Sequence, residues 1–229
     1  MTTTDVFDHG DGGYQPDPDR ETTLLLDAFF DHLAGTVRAR ALAGDLVPRM
    51  RARHAELVAA NAHRVVDEPA RHNLRLTLAL VAAYELLRPV MGRADAVEEV
   101  REALVEPMGD ELRAGTRAVL DAAPDPFAAM VAISRSREEH AFGAGFTFER
   151  EVGEDRYLLS VGRCFYHDVL AANSAAELTP VMCAFDANWI EEIDPRRHGF
   201  RFERATTIGL GGTHCPFHFR RTGAAPEAG

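Results

Sequence analysis

Near residue 143 the apolar pattern of the chain changes from helical spacing to strict alternation, and this switch limits the fold to a helical part followed by a sheet. Before it, Leu25, Leu26, Phe29, Phe30 and Leu33 recur at one-turn intervals, as do Leu76, Leu80, Ala83 and Leu87 within RHNLRLTLALVAAYELLRPV. Further helices are expected around 45–63, 94–105, 108–122 and 126–139, punctuated by Pro107, Pro124 and Pro126. After it, GFTFEREV and RYLLSVGRC alternate on either side of GED, which reads as a hairpin. Two helical stretches follow, CFYHDVLAANS and LTPVMCAFDANWIEEI, and then FRFERATTIGLGGTHCPFHFRR, two strands around a glycine-rich turn. The fold class is therefore α+β: a helical N-terminal half, then a four-stranded antiparallel sheet with two inserted helices. Residues 20–142 and 143–222 are expected to form one compact unit, flanked by a flexible leader at 1–19 and a tail at 223–229.

Composition removes several classes of function. The net charge of −11 argues against a general nucleic-acid surface, so an acidic ligand has to be captured by a local basic site. All 25 basic residues are arginines, and the absence of lysine excludes both an internal Schiff base and a Walker-type phosphate loop. The first residues are polar and acidic, and no later segment is long enough to span a bilayer, so the expected location is the cytoplasm, with no membrane partner. Cys164, Cys183 and Cys215 are far apart in sequence and odd in number, as free thiols of that compartment would be.

Strand alternation brings the candidate site residues together. If the last segment alternates throughout, Phe200, Phe202, Arg204, Thr206 and Ile208 share one face, and Cys215, Phe217 and Phe219 share a face of the next strand. Arg204 and Cys215 then look into the same interior. A guanidinium there requires an anion, and two sources stay open: a ligand carboxylate, or an internal Asp such as Asp186 or Asp168. Helical spacing sets Cys164 one turn before His167 and Asp168, and Cys183 one turn before Asp186, so either thiol has an acid or base within reach. Trp189 gives Asp186 an apolar neighbour, which suits proton transfer. Cys164, Cys183, Cys215 and His214 are a conceivable zinc set, but no close ligand pair marks one, and no metal is expected. Tyr84 and Glu85 are weighed as site-facing residues of the helical half, which shapes the pocket or a homo-oligomer interface.

The ordered series RCFY, LTPVMCAFD, FRFERATTIGLGG and HCPFHF resembles the L-2-amino-thiazoline-4-carboxylic acid hydrolase family over about residues 145–221, with a weaker echo in RLTLALVAAYELL. By position the matching residues are Cys164, Cys183, Asp186, Arg204, Thr206, Gly212 and Cys215. Ala205 after Arg204 and Pro216 after Cys215 depart from the family pattern. The resemblance implies hydrolytic opening of a carboxylated cyclic isothiourea to an N-carbamoyl amino acid. The expected site is thus Cys164, Cys183, Asp186 and Cys215 for the chemistry, with Arg204, Thr206, Gly212, His167 and Trp189 for binding a small carboxylated substrate. Two other classes remain open: a natural-product tailoring enzyme of the same family performing cyclisation or acyl transfer, and a non-catalytic small-molecule or redox-binding module.

Overall fold

The computed structural model describes residues 17–223; the expected leader and tail fall largely outside that range, although the first helix already begins at Pro18. Five helices follow one another: α1 (Pro18–Ala39), α2 (Leu46–Ala60), α3 (Glu68–Met91), α4 (Arg93–Val105) and α5 (Gly109–Ala122). A sixth, α6 (Pro126–Arg137), continues into a π turn at Glu138–Phe142. Several starts share one device. Asp17, Asp67 and Asp125 accept from the backbone N–H three residues on, and a proline occupies the first or second helical position, where its missing N–H costs nothing. Helix α3 is the hub, because residues on every side of it, among them Leu74, Leu78, Ala79, Leu80, Val81 and Ala82, are buried. Tyr84 on this helix donates to Glu177 at 2.6 Å and Glu85 pairs with Arg53 at 2.6 Å, so both serve structure away from the site.

The handover to the sheet occurs at Gly143, whose φ of +69° a side chain rarely adopts and whose Cβ position would lie 2.5 Å from Asp67 Oδ2. Strands β1 (Thr147–Val152) and β2 (Arg156–Arg163) form the expected hairpin. Four short helices come next: α7 (Phe165–Ala172), α8 (Thr179–Ala184), α9 (Ala187–Ile190) and α10 (Pro195–His198). Strands β3 (Phe200–Glu203) and β4 (Cys215–Arg221) complete an antiparallel sheet in the order β1-β2-β4-β3. Its register pairs Tyr157 with Phe219, Leu159 with Phe217 and Val161 with Cys215, so the apolar faces coincide as alternation requires. Among the described residues no helix is long and apolar enough to cross a membrane.

Two of the expected elements are interrupted. The helix read over LTPVMCAFDANWIEEI breaks after Ala184, where Arg204 takes the Cys183 carbonyl at 3.2 Å, an acceptor that a continuing helix would offer to its own next turn. The strand read through Ile208 ends at Glu203. Beyond it Thr207 caps a short 3₁₀ turn, Ile208–Leu210, by accepting from Leu210 N–H at 3.2 Å. Gly209 then lies against the Thr179–Pro180 backbone so closely that a Cβ there would meet it at 3.0 Å. The buried residues fall into two cores. One surrounds α3 and reaches α7 and α8; the other lies between the sheet and α5 and α6, with Leu120, Phe127, Tyr157, Phe200 and Phe219 at its centre.

Candidate active site

A mostly apolar cavity of about 270 Å³ lies at the seam of the two cores and carries residues of both. Cys164, Cys183, Cys215, Asp186, Arg204 and Trp189, six of the nine expected site residues, line it. The remaining three stand back. His167 bonds the Thr179 hydroxyl at 3.0 Å, while Thr206 and Gly212 pack on each other, the glycine leaving space that a Cβ would take at 2.7 Å from Thr206 Oγ1. The residue of the Thr206–Thr207 pair that reaches the cavity is Thr207, 3% exposed. Its selection follows from the end of the strand at Glu203, after which alternation no longer predicts direction.

Asp186 is the best-held polar group on this wall. Arg204 Nη1 donates to Oδ2 at 2.5 Å and the Trp189 indole N–H to Oδ1 at 3.2 Å. The Arg204 guanidinium also lies over the Phe217 ring, 5.3 Å from its centroid, and Trp189 stacks on the same ring at 6.4 Å. Of the two partners left open for Arg204, the internal one is thus present, and it is Asp186; Asp168 turns outward to Arg163 at 2.7 Å. Burial pushes the Asp186 carboxyl above its ordinary range, against the opposing pull of Arg204 and the Trp189 hydrogen bond.

The three thiols are likewise held protonated by burial, Cys164 up to about 12. Their surroundings differ in what favours the thiolate. Cys164 precedes the first turn of α7 and feels the backbone N–H groups of His167 and Tyr166. Cys215 accepts from Ile208 N–H at 3.1 Å. Cys183 has the fullest set: the Thr207 hydroxyl, the Arg204 charge and the Gly209 backbone N–H act against burial, while the Asp186 charge adds to it. The Cys164, His167 and Asp168 side chains, expected on one helical face, diverge toward the cavity, Thr179 and Arg163 respectively. His214, weighed with the cysteines as a zinc ligand, is exposed and bonds Thr213 at 3.2 Å.

Some of the lining was not legible in the sequence. Arg137, at the end of α6, brings a second cation to the cavity and lies 3.9 Å from Glu21. Tyr166 donates to Asn73 at 3.0 Å, and Asn73 in turn donates to the Ala141 carbonyl at 2.9 Å, tying α3 to the π turn. Tyr166, the second aromatic of RCFY, was the sequence signal for this group.

No curated protein and no solved structure matches the chain. A family model does, over residues 72–219, more than half of the 229 residues, taking in α3 from its second turn onward as well as the C-terminal segments. With its thiols, Asp186 and Arg204 all inside that span and on one cavity, the chain belongs to the L-2-amino-thiazoline-4-carboxylic acid hydrolase family.

Proposed function

We propose that the protein is a hydrolase that opens a small carboxylated nitrogen–sulfur ring of the cyclic isothiourea type, 2-aminothiazoline-4-carboxylate being the parent, to an N-carbamoyl amino acid. The observation that carries this reading is the grouping of three thiols with the Asp186–Arg204 pair on the wall of one largely apolar cavity. Cys183 is assigned as nucleophile because it lines the cavity three residues before Asp186, which can take its proton, and because Thr207, Arg204 and Gly209 favour its thiolate. Asp186, made more basic by burial, takes the Cys183 proton as the sulfur attacks the ring carbon between S and N. The bond from that carbon to the ring sulfur breaks, and the departing sulfur receives the proton from Asp186. Water then adds to the same carbon, giving a proton to Asp186, and Cys183 leaves as the thiol when that proton returns. The net change is addition of one water to the ring. The substrate carboxylate goes to the N–H groups of Arg204 not engaged by Asp186, with Arg137 as the second cation on the wall.

The test is incubation of purified protein with 2-aminothiazoline-4-carboxylate, following N-carbamoyl cysteine by mass spectrometry. Turnover is expected, reduced at least about 100-fold in Cys183→Ser and in Asp186→Asn. Full activity in Cys183→Ser, Cys164→Ser and Cys215→Ser alike removes the thiol route, and no turnover by folded wild-type protein removes the reading.

A further inference from the structure

The catalytic groups occupy only part of the cavity wall. The helical half contributes a mainly apolar wall: Leu104 from α4, Leu112 and Val119 from α5, and Met130 and Ile133 from α6, with Thr116, Ser134 and Arg137 as its polar members. Helix α5 is the informative element. Leu112, Thr116 and Val119 recur at one-turn spacing, the stripe that a surface helix lays onto its neighbour, yet in this helix only Gly109 and Leu120 are buried. The stripe therefore faces the cavity and is only partly covered by protein. A ring as small and polar as the parent aminothiazoline carboxylate is ill matched to it, since its amidine and carboxylate would lose water against aliphatic carbon without gaining hydrogen bonds. The volume of about 270 Å³ lies near the lower edge of the roughly 300–1,000 Å³ range typical of pockets for drug-sized ligands.

From these features we infer that the substrate is a carboxylated N/S ring that carries an apolar alkyl or aryl substituent on its exocyclic nitrogen, seated against α5 and α6. The ring chemistry of this inference rests on the hydrolase reading above; the apolar arm rests on the wall alone. Water adds to the ring carbon, the carbon–sulfur bond breaks, the sulfur leaves as a thiol, and the product is an N-(alkylcarbamoyl)cysteine.

The experiment uses two series with hydrogen, propyl, hexyl and benzyl substituents. Turnover is measured on the 2-(alkylamino)thiazoline-4-carboxylates, and Kd by calorimetry on the ring-opened N-(alkylcarbamoyl)cysteines, whose binding needs no catalysis. Each methylene up to the capacity of the arm is expected to tighten Kd about threefold to fourfold, and both Val119→Trp and Ile133→Trp to abolish the gain. A Kd independent of chain length in the wild-type protein, or a gain that both folded tryptophan variants retain, overturns the inference. The two readings separate cleanly. Turnover of the parent ring with a flat Kd series leaves the hydrolase standing without its apolar arm, and a steep Kd series without turnover of any ring leaves the arm without the hydrolase.

Discussion

Replacing Arg204 by leucine isolates the part of the site on which the carboxylate depends. Arg204 and Asp186 are 17% and 27% exposed, so the pair is shielded, though not fully dry. Breaking a fully buried pair by removing one partner costs about 3–5 kcal/mol, and a hydrogen bond to a charged group is worth about 1.5–3 kcal/mol. With partial exposure to the cavity, the expected loss for Arg204→Leu is about 2–3 kcal/mol near neutral pH, or a fall in Tm of roughly 4–12 °C for a chain of this size. The pH dependence follows from the raised Asp186 carboxyl. A carboxyl whose folded pKa lies above its unfolded value contributes stability in the protonated form, fully present below the unfolded pKa and lost as pH rises through the folded pKa. Removing the Arg204 charge raises the folded pKa further, so the variant loses stability over wild type as pH rises through and above the carboxylate range. At low pH, where Asp186 is neutral in both proteins, the two differ least. Thermal melts from pH 4.5 to 8 test this, together with Arg204→Leu/Asp186→Leu, which is expected to recover part of the loss because no charge is left unpaired. A single variant destabilised equally at every pH, with no recovery in the double variant, would refute the account of Arg204 as the counter-charge of Asp186.

Two further outcomes are expected. Because burial raises all three thiols, Cys164 up to about 12, native protein at pH 7.5 should react with a thiol reagent at least about tenfold more slowly than the same chain in denaturant; a stopped-flow trace in which one cysteine of the native protein reacts at the denatured rate contradicts it. The buried Glu138 carboxylate accepts from Tyr157 at 2.7 Å, Arg150 at 2.5 Å and Ser134 at 3.0 Å, so Glu138→Gln, which turns an NH₂ group toward a donor, should cost about 2–3 kcal/mol. A denaturant midpoint equal to wild type at unchanged m-value tells against that network.

Where a local rule operates, the sequence was readable. The period switch located the handover near Gly143, and alternation placed Cys215, Phe217 and Phe219 on one face, which the β2–β4 register then sets beside Val161, Leu159 and Tyr157. The expected grouping of Arg204 with Cys183, Asp186 and Cys215 also holds, but by a different path. Arg204 is outside β3, in a loop that wraps α8, and reaches the cavity because Asp186 and the Cys183 carbonyl bind it. Alternation carried past Glu203, where β3 ends, put Thr206 on the Arg204 face, whereas Thr207 is the residue that lines the cavity. The break between α8 and α9, Arg137 and the Tyr166–Asn73 bond depend on contacts between segments distant in sequence, and no propensity or spacing in any one segment encodes them.

The seam between the two cores also has a consequence for how this protein can change. The thiols, the carboxylate and its guanidinium all come from residues 164–215, whereas one apolar wall of the cavity comes from α4, α5 and α6, earlier in the chain, and the sheet supplies another through Phe148, Leu159 and Phe217. Reactivity and this part of the fit are thus written in separate stretches of the gene. Drift or deliberate library design confined to α5 and to α6 ahead of Arg137 can reshape the chamber for a new guest without touching the machinery that would transform it, which makes this cavity a natural starting point for altered selectivity.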